Sequence, residues 1–102
     1  MNTTMDKMTI KNFHTVEEFR DYLKKHGEGD DFSLSQLVVI YNFLSKNRPD
    51  TVIDPWHICQ EFTAFHSADE AVKALEYEDI LDLQTDVELH YAPNGEVLVQ
   101  WP

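Results

Sequence analysis

The apolar residues of this 102-residue chain recur at helical spacing through most of its length, and at a spacing of two from Val87 onward. That change of period confines the chain to a mixed fold, because helices and strands bury their faces by different geometry. The helical part announces itself three times in one way. Thr15-Val16-Glu17-Glu18, Ser33-Leu34-Ser35-Gln36 and Ser67-Ala68-Asp69-Glu70 each set a hydroxyl three residues before Glu or Gln, which is the capping-box pattern. After the first cap, Val16, Phe19, Tyr22 and Leu23 predict a helix over 16–26, stopped by Gly27 and Gly29. After the second, Leu34, Leu37, Val38, Ile40, Tyr41 and Leu44 form a broad apolar stripe, so this helix is expected to be the most buried. After the third, Ala68, Ala71, Val72 and Leu75 predict a short helix, to which residues 78–83 can add a further turn.

In the period-two region, Val87, Leu89 and Tyr91 alternate with Glu88 and His90, Pro93-Asn94-Gly95 supplies turn chemistry, and Val97, Val99 and Trp101 alternate with Leu98 and Gln100. This pattern predicts a β-hairpin. Residues 56–65 are rich in aromatic and β-forming side chains, with Trp56, Ile58 and Phe62 on one strand face and His57, Cys59 and Glu61 on the other. They are expected to form a third strand, since a hairpin alone is marginal without a third strand or a covering helix. The competing reading is a helix capped by Asp54 with Pro55 at its first position, a legitimate start signal. The expected fold is α+β in the order α-α-β-α-β-β, an antiparallel three-stranded sheet covered on one face by helices. The length suits one domain over residues 1–102, with 1–12 expected to be flexible.

Apolar residues make up 42% of the chain, enough to offset the ordering entropy that keeps polar chains unfolded. No apolar run approaches the roughly 20 residues of a membrane span, and residues 1–11 lack the pattern of a signal peptide. The expected location is the cytosol, which agrees with the lone cysteine, Cys59, since one thiol forms no internal disulfide. The net charge is −11, and it is unevenly spread: residues 1–48 hold seven acids and seven bases, whereas from Pro49 onward twelve acids face only Lys73. Such a surface repels phosphate backbones and attracts basic proteins. The hairpin of a winged DNA-binding domain would carry Lys or Arg, and this one carries neither, so direct nucleic-acid binding is not expected.

Strand alternation would place His57 and Cys59 side by side as a thiol–imidazole pair, but no glycine-rich loop accompanies them and a single cysteine is most often a small buried apolar residue. The spacing of the histidines, carboxylates and Cys59 matches no metal-binding motif. No catalytic residue, metal or cofactor is expected. The aromatics of the acidic half are the stronger signal, because Trp and Tyr anchor interfaces. Trp101 at the end of an edge strand and Phe65 at the strand-to-helix corner are expected to be exposed. With Tyr77, Asp79 and Asp82 they form the candidate protein-binding set.

Three stretches carry a resemblance: Phe32-Ser33 opening a helix through Leu37, Tyr41 and Leu44; Glu61 to Ala71; and Asn94-Gly95-Glu96-Val97-Leu98-Val99-Gln100. Over residues 31–101 the chain resembles a group of small acidic proteins of bacteriophages and prophages, with a longer N-terminus. The resemblance implies a phage or mobile-element origin and no catalytic residues. The expected function is thus a non-enzymatic accessory protein that binds a protein partner, possible partners being basic, through its acidic, aromatic-bearing half. The alternatives are a nucleic-acid mimic that inhibits a DNA- or RNA-binding protein, a small enzyme using His57 and Cys59, and a subunit that self-associates along the hairpin edge at Val99.

Overall fold

The computed structural model describes residues 7–102, and Met1–Asp6 of the segment expected to be flexible lie outside the described residues. In the rest of that segment Thr9 bridges Val52, and a 3-10 turn over Ile10–Asn12 buries Ile10. There follow α1 (Val16–Lys25), α2 (Leu34–Asn47), α3 (Pro55–Glu61), β1 (Phe62–Phe65), α4 (Ala68–Ala74), α5 (Ile80–Asp86), β2 (Glu88–Tyr91) and β3 (Val97–Gln100). No helix of the described residues is long and apolar enough to cross a membrane.

The three hydroxyl caps form as the sequence predicts. Ser33 and Gln36 make a full reciprocal box, with Gln36 N–H on the Ser33 hydroxyl at 3.1 Å and Ser33 N–H on the Gln36 carbonyl at 2.9 Å. Thr15 and Ser67 accept from Glu18 and Glu70 N–H groups. Those two glutamates reach one residue further back, to His14 and His66 N–H groups at 2.7 and 2.8 Å.

Residues 56–65 depart from the expected strand. Asp54 accepts from the N–H groups of Trp56 and His57, Pro55 sits in the first turn, and a helix runs through Glu61 before the chain extends as β1. A cap that satisfies two free N–H groups, with a proline preset for the first turn, outweighs the β propensity of the aromatics. The turn suggested for 78–83 is a separate helix, α5, capped by Asp79 on Asp82 N–H at 2.8 Å.

The sheet is antiparallel with order β1-β3-β2. β3 is therefore central and not an edge, and Val99, wholly buried, cannot pair with a second chain. The pleat sends Leu98 into one core with Phe19, Leu23, Leu37, Ile40 and Phe62. It sends Val97 and Val99 into another with Ala71, Leu83 and Val87. Helices thus cover both faces of the sheet, where one covered face was expected: α1 to α3 lie on one side and α4 and α5 on the other. This follows from β3 having no polar alternation across Val97, Leu98 and Val99.

Gln36 ties the first core to the sheet. It is the one buried polar residue among those described, and its amide N–H groups donate to the carbonyls of Phe65 at 3.1 Å and Val97 at 3.0 Å, the last pair of the β1–β3 ladder. Truncation would leave the Ser33 N–H without its partner and remove the second hydrogen bond of each carbonyl, which the ladder pairs once already. Gln36→Ala is expected to destabilise by about 2–3 kcal/mol, read as a lowered urea midpoint with an unchanged slope; a loss under ~0.5 kcal/mol would show that the tie is not a source of stability.

Two helices end in the same way with different residues. After α1, Gly27 N–H bonds Lys24 C=O at 3.0 Å and Glu28 N–H bonds Leu23 C=O at 2.9 Å, with Gly27 at φ +76°. After α4, Glu76 N–H bonds Lys73 C=O at 3.2 Å and Tyr77 N–H bonds Val72 C=O at 2.9 Å, with Glu76 at φ +63°. Both are Schellman ends, which favour glycine at the left-handed residue. Glu76→Gly is expected to stabilise by about 0.5–1 kcal/mol by relieving the Cβ clash, visible as a Tm rise of a few degrees; a fall in Tm would mean that Glu76 makes a compensating contact.

Candidate functional site

The Schellman end at Glu76 folds Tyr77 back against α4 and turns the chain into α5. Between the two helices lies an open groove of about 540 Å³. Its inner surface is made by half-buried Val72, Tyr77 and Ile80, and its margin by exposed Asp69, Lys73, Glu78 and Asp79, three acids to one base. Leu81, 75% exposed, stands at the mouth. Geometry explains that exposure. Ile80, Leu83 and Val87 fall on one side of α5 at spacings of three and four, and Leu81 is off that stripe. The Tyr77 hydroxyl donates to Asp86 at 2.9 Å, and this bond to a carboxylate, with help from burial and Asp82, pushes its pKa up. Asp82 accepts from Glu78 N–H at 3.3 Å.

The structure brings Tyr77 and Asp79 together in this groove, with Asp82 one helical turn along, and it separates them from the other two candidates. Phe65 is half-buried against Ala71, Leu83 and the strand valines. Trp101 is half-buried in the same core, its indole N–H donating to the Thr63 hydroxyl at 2.8 Å. The exposed aromatics are instead Trp56 at 61% and Tyr91 at 57%. Trp101 follows a central strand, so it is packed from both flanks, while Trp56 rides the outer side of a helix read from the sequence as a strand. The exposure of Leu81 is not legible in the sequence because residues 78–83 read there as a further turn of α4, whereas they open a separate helix with its own buried stripe.

The helix at 55–61 also removes the geometry behind a His57–Cys59 pair. Two residues apart on a helix, the side chains point to nearly opposite sides. His57 lies 3.8 Å from Glu61, whereas the Cys59 thiol lies near Glu28 and Gly29; burial pushes its pKa up, the Gly29 backbone opposes this, and Glu28 and Asp31 add to the rise. A thiol held protonated is a poor nucleophile. No group of three or more His, Cys, Asp or Glu side chains among the described residues could hold a metal ion.

At the far end of β1 a polar cluster fixes α2, α3 and the sheet to one another. Arg48 grips the Glu61 carboxylate with two bonds of 2.8 and 2.7 Å, its guanidinium 5.3 Å from the centre of the Phe43 ring. Gln100 donates to Glu61 at 2.7 Å and meets His90 at 2.8 Å. The Glu61 side chain is only 9% exposed. The Arg48 bonds hold its pKa below the usual carboxylate range against the opposing effect of burial, with Gln100 and His57 assisting. Compared with protein-family models, curated proteins and solved structures, the chain matches none.

Because the Glu61 pKa is lowered on folding, the stability it contributes is complete above the ordinary carboxylate range. It is lost as pH falls through the lower folded value. Arg48→Met is expected to cost about 2–3 kcal/mol at neutral pH, less than the ~3–5 for breaking a fully buried pair because Arg48 remains partly exposed. The gap between variant and wild type should narrow at acid pH, where the orphaned carboxylate is protonated. Urea titrations at pH 7 and 4 check both, and a gap independent of pH would assign the loss to packing on Phe43.

Proposed function

We propose that this chain is a non-enzymatic accessory protein that binds a basic protein partner through the α4–α5 groove of its acidic half. Leu81 carries the reading. A leucine three-quarters exposed adds nothing to the core, and it stands beside an apolar cleft rimmed by Asp69, Glu78 and Asp79, which outnumber the one base there, Lys73. An apolar centre inside a charged rim is the anatomy of a protein interface. The rim selects Lys and Arg, and the charge of the half behind it steers them in. The same carboxylates oppose a phosphate backbone, so nucleic acid is not the proposed ligand. The likeness of residues 31–101 to small acidic phage proteins supports a partner in the host cell.

The test is affinity capture from cell lysate with wild type, Leu81→Asp and the double amide variant Asp79→Asn/Asp82→Asn. Asparagine keeps the cap of α5 while removing charge, and an aspartate in the first turn of α5 is compatible with its N-terminus. A partner held by wild type should be lost by about tenfold or more with Leu81→Asp, the effect of a removed hot spot. Its capture should depend less on salt with the double variant. Equal capture by all three proteins would sink the groove as the binding site. A partner that normally holds nucleic acid would make the protein a mimic of it.

A further inference from the structure

A second surface lies along the outer edge of β1, with Glu70 of α4 at one end of it. Trp101 N–H bonds Glu61 C=O at 2.8 Å, and the register sets Phe62 opposite Gln100, so Glu61 and Trp101 are a bonded pair. In an antiparallel ladder such pairs recur at every second residue. Thr63 and Phe65 therefore turn their N–H and C=O groups toward β3, and Phe62 and Ala64 turn theirs away. The other side of β3 agrees with this phase, since Ala92 N–H bonds Glu96 C=O at 2.7 Å; Leu98 and Gln100 then serve β2.

The outward edge of β1 is closed at both ends. Phe62 N–H bonds Ile58 C=O, and His66 N–H bonds the Glu70 carboxylate at 2.8 Å. Between these ends lie the Phe62 carbonyl and the N–H and carbonyl of Ala64, for which no partner is found among the described residues. Two clefts, of about 240 and 260 Å³, run alongside and share Asp31, Phe32 and Ala64. Asp30, Asp31, Glu70 and Glu96 line them, and no Lys or Arg does.

We infer that β1 accepts an extended, lysine- or arginine-bearing segment of a partner protein as a fourth, antiparallel strand, seated between Ala64 and the Asp30–Phe32 loop. An acceptor, a donor and an acceptor in sequence fit three backbone hydrogen bonds from such a strand, which is the chemistry of β-augmentation. The backbone supplies the attraction common to all extended chains. The carboxylates supply the choice, because side chains alternating off the added strand meet them in the clefts. A second copy of this chain is a poorer occupant, since its net charge of −11 brings like charge to like.

The test uses an acetylated, amidated peptide alternating lysine and valine, and the same peptide N-methylated at every residue, which keeps the charge and blocks strand pairing along both edges. Binding is followed by NMR with hydrogen exchange on the whole chain. The first peptide should slow exchange of the Ala64 amide by about tenfold or more, and the methylated one should not. Asp30→Asn/Asp31→Asn should weaken binding, whereas Leu81→Asp should leave it unchanged, which separates this site from the α4–α5 groove. An Ala64 amide that is already protected in the free protein, or protected only on dimerisation, overturns the proposal. So does equal binding of both peptides, binding that leaves Ala64 untouched, or no binding at all.

Discussion

β3 has both of its edges paired and both of its faces buried, and the remaining elements are arranged to meet those four demands. β1 and β2 take its alternate N–H and C=O groups. Leu98 requires a core on one side, and Val97 and Val99 require one on the other. Four residues cannot supply that much apolar surface alone, so each core is completed by helices: the long α2 with α1 and α3, and the shorter α4 and α5. Gln36 reaches from α2 to the β1–β3 ladder, so the first core and the sheet are joined by a buried polar tie as well as by packing. Such a tie is favourable only because each of its hydrogen bonds is made.

Two filled cores leave little apolar surface to spare, and where that surface remains becomes informative. From Ser67 onward, on the elements around the second core, nine acids face Lys73 alone, while the balanced charges of residues 1–48 lie on the elements around the first. Leu81 is exposed within the acidic part, at a place where its own helix has no need of it. The open edge of β1 is also bordered by carboxylates, yet its attraction would come from the backbone. One surface would recognise a side chain and the other a chain conformation, and the carboxylates at both would oppose anionic ligands.

What could be read from the sequence tracks how local its cause is. The caps at Thr15, Ser33 and Ser67 are made within four residues, and they form. The hairpin around Pro93-Asn94-Gly95 is likewise local: Gly95 takes φ +90° and its N–H bonds Ala92 C=O at 3.0 Å. Residues 56–65 contained two local signals in conflict, and the proline and aspartate prevailed over the aromatics. The turn at Glu76 carried no glycine to mark it, so the start of α5 and the exposure of Leu81 were hidden. The position of β3 in the middle of the sheet is a long-range fact, set by the return of β1 to its free side. From the hairpin alone, Trp101 stands at an edge.

The candidate surfaces are built on short helices, and that bears on how they keep their shape. α3, α4 and α5 have seven residues each, well under the ~12–15 at which an isolated helix becomes even marginally stable. Their orientation must come from outside themselves. For α4 and α5 it comes from Ala71 and Leu83 docked on the strand valines and from the left-handed turn at Glu76. For α3 it comes from Ile58 in the first core and from Glu61, its last residue, held by Arg48 and Gln100. The groove and the strand edge are thus as rigid as the cores behind them, and a change that loosens either core should reach the surface it supports without touching a residue there.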